Sequence, residues 1–539
     1  MIMADIQADV IIVGSGVAGA LIADQLAGAG VSVAILEAGE EVDRGEAVDK
    51  FHAAAIKTPE SAYPAEPEAD HPLSWDMDHW YRQTGPDKFK STYVKVVGGT
   101  TWHWLGTAIR MSPEDFSLKT SHGRGVDWPV SYDELEPFYG RAENELGVSG
   151  AAGSPPTAHR STDFPMPPIP QSFLDGYFKQ KLAGTVYEVT PTPQARNSVD
   201  RDDRPGCCGS ASCIPVCPVQ AKYDATVHVQ RAVDKGAKLY PATTATFVET
   251  GADGKIAAVH FTLRDGSKGK AVGKLYVIAA HAIETPRLLL ASVNEHAPKG
   301  VANSSDQVGR NLMDHPSQLS WATTNEPVWP YRGPLSTSGI ENLSTGDFRA
   351  ERGAFRIEIG NDGHSWPTGA PISTAKDLIE QGLRGAELDK ALRAQTARHI
   401  RMASLVEQLP DPENRVTLHE TDKDIYGVPL PRITYVVDDD VKAGLKAAAD
   451  AHDEIFTALG TTGVNHADSF NGSGHIIGTC RMGTDAATSV VDGELRSHDH
   501  SNLFIAGSAV FPTCGTANPT LTIAALSLRT AEVLLKELA

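Results

Sequence analysis

The stretch Gly14-Ser-Gly16-Val-Ala-Gly19 most restricts what this chain can fold into. It follows the short apolar run Asp9–Val13, which reads as a buried strand. It precedes Ala20–Ala29, an Ala- and Leu-rich segment that reads as a helix closed by Gly30. A second strand, Val31–Leu36, ends in Glu37, 18 residues past Gly19. Strand, Gly-x-Gly-x-x-Gly turn and helix make a βαβ opening that grips a dinucleotide. Gly14 permits the tight turn, Gly16 lets the backbone approach a pyrophosphate, and Gly19 lets helix and strand pack closely. The helix N-terminus offers unpaired N–H groups to phosphate, and an acid at the end of the second strand accepts from ribose hydroxyls. Placement at the start of the chain favours a tightly held flavin adenine dinucleotide (FAD) over a diffusible nicotinamide.

Charge and cysteine usage remove several classes. Acidic residues number 68 against 48 basic, a net charge of −20, which leaves no basic footprint for nucleic acid and no polybasic contact with anionic lipid. Six cysteines in 539 residues are too few for a disulfide scaffold. No apolar run is long enough for a transmembrane helix, and Met1–Ala8 is short for a signal peptide and lacks Lys and Arg. The expectation is a chain that stays cytoplasmic alone or is exported on a partner. Further on, 150–172 is rich in Pro, Gly and Ser, and 234–280 alternates short strands with turns. Ser373 or Thr374 is expected to cap a helix through Leu378, Ile379 and Leu383. Arg415–Leu418 and Ile433–Val437 read as strands, and Val441–Leu459 as a helix stopped by Gly460.

Five more motifs accompany the glycine turn. They are Val-Gly-Gly-Thr-Thr-Trp-His-Trp (97–104), Ile-Ala-Ala-His-Ala-Ile-Glu-Thr-Pro-Arg (278–287), and Val-Gly-Arg-Asn-Leu-Met-Asp-His-Pro (308–316). The last two are His-Ile-Ile-Gly-Thr-Cys-Arg-Met-Gly (475–483) and the run 503–526 around Gly507-Ser508 and Ala517-Asn518-Pro519. In order and spacing the chain resembles the glucose–methanol–choline family of flavoprotein oxidoreductases. The resemblance implies an α/β fold: a Rossmann-like FAD domain (1–160, 195–318 and 466–539) and a substrate domain (161–194 and 319–465). The substrate domain would be a mainly antiparallel sheet backed by helices.

The same resemblance puts His475 and Asn518 at the family's catalytic pair. Some members carry a second His where Asn518 stands. A neutral imidazole suits removal of a hydroxyl proton, and an amide orients the substrate oxygen. Gly98, Gly99 and Thr100 would cover the edge of the flavin ring, and Gly507 and Ser508 would approach its ribityl and pyrophosphate. His103 stands where some relatives link a histidine to the flavin 8α-methyl. The linkage is not universal, so a covalent bond and a ring packed beside the flavin both stay open. Asn311, Asp314 and His315 read as structural or cofactor-adjacent.

Cys207-Cys208-Gly-Ser-Ala-Ser-Cys213-Ile-Pro-Val-Cys217-Pro218 is the strongest metal signal. Three thiols at spacings of six and four, ending in Cys-Pro, suit an iron–sulfur cluster better than zinc. Cys208 is either a free neighbour or a fourth ligand. Cys480 and Cys514 read as inert buried thiols. This run resembles the catalytic subunits of bacterial iron–sulfur, FAD-dependent glucose and other sugar dehydrogenases. That narrower resemblance implies a [3Fe–4S] cluster on Cys207, Cys213 and Cys217, a small chaperone-like subunit, a multihaem cytochrome c partner and the periplasmic face of the membrane. The activity it implies is oxidation of an aldose at C1 to the lactone. Alternatives are another sugar carbon (fructose C5, gluconate C2, glycoside C3) or an idle flavin relay.

Overall fold

The computed structural model describes residues 5–54, 62–63, 81–154 and 157–539; Pro155 and Pro156 of the Pro-, Gly- and Ser-rich stretch lie outside the described residues. Strand Val10–Val13 is wholly buried, as its run of β-branched residues requires, and sits at the centre of a five-stranded parallel sheet. Leu275–Ile278 and Val33–Leu36 flank it, and Leu503–Ile505 and Lys238–Tyr240 form the outer strands. Helix Val17–Gly28 packs between the C-terminal helix Thr520–Leu538 and helix Thr226–Asp234. It is buried nearly all round. Its one buried acid, Asp24, is neutralised by Lys235 at 2.7 Å.

A second layer is built differently. Thr462–His466, Ser317–Thr323, His399–Val406, Phe355–Gly360, Ser338–Ile340 and Val189–Pro191 form a six-stranded antiparallel sheet. Helix Asp439–Leu459 lies against it, capped by Asp438, whose Oδ1 accepts from Val441 N at 2.9 Å, and ended by Gly460 at φ +66°. The architecture is therefore α/β, with a parallel dinucleotide-type sheet and a second sheet that is antiparallel. A four-stranded sheet (Ile6–Gln7, Lys268–Val272, Ile256–Leu263, Thr243–Thr250) and a three-stranded one complete it.

Two local expectations fail. Neither Ser373 nor Thr374 caps a helix: Ile372–Glu380 begins after Pro371 without a side-chain cap, and Leu383 lies in the turn before a separate helix, Gly385–Thr396. Gly382 at φ +95° breaks the pattern that the apolar spacing alone would continue. Tyr435–Val437 also leaves the sheet after Pro429–Thr434. Its backbone instead serves the segment at 85–87, where Asp87 N donates to Tyr435 O.

Candidate functional site

One cavity of about 1260 Å³ runs from the glycine turn to the antiparallel sheet. At one end Gly14 has φ +99°, and a Cβ there would lie 2.4 Å from Ala279 O. A Cβ on Gly19 would lie 2.0 Å from Gly14 O, so Gly19 packs helix against turn and does not line the cavity. Gly16 does line it, and a Cβ there would meet no protein atom within 4 Å. Gly16 also starts the helix without a side-chain cap, which leaves the first-turn N–H groups facing a ligand's position. Glu37 braces this turn: Oε2 accepts from Ser15 N and Oγ at 2.9 and 2.7 Å, and Oε1 from Gly39 N at 2.8 Å. Burial pushes its pKa up.

The second glycine pair closes over the first. Gly98 N donates to Ser15 Oγ at 3.0 Å, and a Cβ on Gly99 (φ +58°) would lie 3.3 Å from Gly16 Cα. Gly99 and Thr100 line the cavity, whereas Gly98 is packed beneath it against Thr226 and Trp102. Gly507, at φ +106° with open space beside it, and Ser508 line the opposite side. A long cavity walled by glycines whose missing side chains leave room fits FAD. His103 lines it too, with its Nε2 buried and unpartnered. Burial, then Lys222 and His281, push its pKa down to about 3, so the ring is neutral.

His475 and Asn518 meet where the two sheets face each other. Asn518 sits in the turn just before the C-terminal helix, and His475 in a loop whose backbone N donates to Asp314 Oδ1 at 2.9 Å. A chain of hydrogen bonds sets their protons. His315 Nε2 can only donate to Gly515 O, 3.0 Å away, so in the neutral ring its Nδ1 accepts. His475 Nδ1, 2.8 Å from it, is then the donor, which leaves His475 Nε2 as a lone pair. Asn518 closes the chain from the other side. Its Oδ1 accepts from Arg356 Nη1 at 3.1 Å, which turns the NH2 group to His475 Nε2, also at 3.1 Å. Burial, then His315 and Arg356, hold the His475 pKa well below the ordinary value, so Nε2 is an unprotonated acceptor aimed at the cavity. His315 was legible as a motif residue but not as the partner that selects this tautomer. Arg356, on strand Phe355–Gly360, carries no motif and is found only from its contacts.

The cysteine loop borders the same cavity through Ala211, Ile214 and Pro215. All six cysteines are free thiols. Burial pushes the Cys207 thiol up, and Cys213 and Cys217 lie near enough to add to the shift. Cys207 Sγ accepts from Gly209 N at 3.4 Å and Cys217 Sγ from Lys222 N at 3.5 Å. Three unbridged thiols, two of them with an amide donor on sulfur, and the buried Lys222 alongside fit an anionic iron–sulfur ligand set. Cys208 is exposed. Cys480 is buried and its thiol pushed up to about 12, and Cys514 is buried beside Gln408, so both are poor nucleophiles.

A glycine-walled dinucleotide cradle that opens onto an unprotonated imidazole defines an oxidoreductase that uses a bound dinucleotide. Profiles of the family described as GMC oxidoreductase match residues 193–317 and 410–527. The chain is 39% identical to the fructose dehydrogenase large subunit of Gluconobacter japonicus, over 99% of this chain and 98% of that one. It is 28% identical to a 2-methyl-1,2-propanediol dehydrogenase of Mycolicibacterium austroafricanum (97% and 94% covered) and 25% identical to a gluconate 2-dehydrogenase flavoprotein of Pantoea cypripedii (98% and 93%). Its fold matches the crystal structure of a pyridoxine 4-oxidase from Mesorbium loti, with TM-score 0.65, 18% identity and 98% and 99% of the two chains covered. The chain belongs to the GMC oxidoreductase family, which binds FAD. Among the described residues no helix is long and apolar enough to cross a membrane.

Proposed function

We propose that this chain is an FAD-dependent sugar dehydrogenase that oxidises a ring hydroxyl of a ketose, at C5 of fructose. The observation that carries the reading is the unprotonated His475 Nε2, held by His315 and Asn518 at the mouth of the dinucleotide cradle. Full-length identity to a fructose dehydrogenase subunit favours the ketose over the aldose C1 reading drawn from the cysteine run. Bound FAD supplies the hydride acceptor at N5. The chain's own residues do the rest. Gly14, Gly16 and the first turn of the helix would hold the FAD pyrophosphate and Glu37 its ribose, and Gly99, Thr100, Gly507 and Ser508 would leave room for the rest of the cofactor. His103 packs beside the flavin ring or bonds to it. His475 Nε2 takes the hydroxyl proton as the carbon gives up its hydride, and one Asn518 N–H holds the oxygen in place. His315 stays an acceptor throughout, so the proton remains on Nε2.

Cys207, Cys213 and Cys217 are the ligand set for a [3Fe–4S] cluster, whose chemistry is one-electron transfer. The acceptor is a cytochrome c partner at the periplasmic face, reached with a small escort subunit; the relative's name, a large subunit, supports such an assembly. Two experiments test this reading. Fructose and glucose are added anaerobically to the FAD-loaded protein. Fructose should bleach the flavin fastest, and bleaching by neither sugar removes the reading. The oxidised protein should also give a paramagnetic resonance signal that Cys217→Ser abolishes while flavin stays bound. A signal unchanged in that variant removes the cluster.

A further inference from the structure

The antiparallel sheet forms the cavity's far wall, and that wall is charged. On strand Phe355–Gly360, alternate residues Arg356, Glu358 and Gly360 share a face. The neighbouring strand sets Leu405, Ala403 and Arg401 opposite them, in that order. This row starts beside Asn518, which Arg356 touches, and runs outward to Arg401, whose guanidinium lies across Gly360. A Cβ on Gly360 would fall 2.3 Å from Arg401 Cζ, so the glycine makes room for it. Arg401 Nε donates to Asp362 at 2.6 Å, yet its Nη1 is buried with no partner, in a residue only 8% exposed. Asn361, 1% exposed, likewise lines the cavity with an unpartnered buried Oδ1. A buried donor and a buried acceptor left unpaired are both costly, and the residues that carry them line one cavity. Trp366 stands at the same wall, 43% exposed, with Arg401 Cζ 5.0 Å from its ring centre.

We propose that Arg401, Asn361 and Trp366 form the subsite for the non-reacting hydroxyls of a neutral sugar, with Arg401 donating, Asn361 accepting and Trp366 lying against the ring's apolar face. The inference rests on the dehydrogenase reading above and adds to it the residues that hold the rest of the substrate and reject a charged one. The wall's two guanidiniums are outnumbered by the carboxylates of Glu341, Glu358 and Asp362, to which they are already paired. Lys90, near the His475 loop, directs its ammonium to Ser469 Oγ and Phe470 O. Among the described residues both guanidiniums of this wall are already paired with carboxylates, so neither is free to repay the desolvation of a substrate carboxylate, and an aldonate is disfavoured where a ketose or aldose is accepted.

The test follows anaerobic flavin reduction in the FAD-loaded protein with fructose, glucose and gluconate over a range of concentrations. At least one neutral sugar should half-saturate the wild type at ~10-fold or more below gluconate. Arg401→Gln and Trp366→Ala should each raise that sugar's half-saturating concentration, by ~10-fold and ~3-fold, with the maximal rate held within ~2-fold. Asp362→Asn releases the guanidinium's charge and should lower the half-saturating concentration for gluconate. If Arg401→Gln does not fold, the surface variant Trp366→Ala decides. Unchanged half-saturation in Trp366→Ala and in any folded Arg401→Gln, or gluconate binding as well as the neutral sugars, overturns the subsite while leaving the dehydrogenase reading intact. If no sugar bleaches the wild-type flavin, both fall.

Discussion

The two ends of the cavity are made of different material. The dinucleotide end is backbone: Gly14, Gly16, Gly99 and Gly507 contribute by lacking a side chain, and Glu37 uses its carboxylate to brace the turn. The antiparallel end is side chain: Arg356, Glu341, Glu358, Asp362 and Arg401, all buried or nearly so, paired across strands. A cofactor shared by a whole family can be held by backbone geometry that tolerates little change. A substrate wall can be rewritten residue by residue, provided each buried charge keeps its partner.

If that contrast holds, the largest effect should come from removing one buried charge at the substrate end. Arg356→Met leaves Glu341 and Glu358 buried without a counter-ion and should cost about 3–5 kcal/mol, read as a lowered denaturation midpoint. A midpoint within error of wild type would mean water enters that wall. Next is His475→Ala, which removes the base but touches neither the cradle nor the charged wall. Flavin content should stay full while sugar-driven reduction falls ~100-fold or more, and reduction at the wild-type rate would take the base role from His475.

At the cradle the test is two glycines two residues apart. Gly14→Ala forces a Cβ to 2.4 Å from Ala279 O at φ +99° and should cost about 1–3 kcal/mol of fold stability with or without FAD. Gly16→Ala meets no protein atom. Its apo-protein should melt like wild type, and only FAD affinity should fall, by ~10-fold. Equal loss of apo stability in both would erase the distinction between a turn glycine and a ligand-facing one. The smallest effect is a predicted constancy. The working form of His475 is the neutral ring, and its pKa is depressed, so rate is lost only as pH falls through that lowered value. The maximal rate of flavin reduction should show no inflection near the ordinary histidine value of 6.5, and an inflection there would place the base in water.

The parts legible in the sequence share one property: each is local. Val10–Val13, the glycine turn and helix Val17–Gly28 announce themselves because strand periodicity, left-handed glycines and helix caps act over a few residues. Helix Asp439–Leu459 and its stop at Gly460 are read the same way. The misread helix at 372–383 shows the limit, since apolar spacing continues through a glycine that the backbone uses to break. His315 and Arg356 show a second limit. Nothing within ten residues of either says that one fixes a tautomer and the other an amide, because their partners lie 160 and 162 residues away in the chain.

By itself the sequence determined that this chain opens with a dinucleotide turn, carries a three-thiol run and sets a histidine and an asparagine in family motifs. Backbone conformation and residue type at short range suffice for those statements. Only the tertiary structure decided which nitrogen of His475 is the acceptor, that Cys213 and Cys217 come near Cys207, and that the two guanidiniums of the substrate wall are already paired with carboxylates. Proton position and net charge at a site depend on which groups burial brings within hydrogen-bonding distance, and chain packing alone sets those distances.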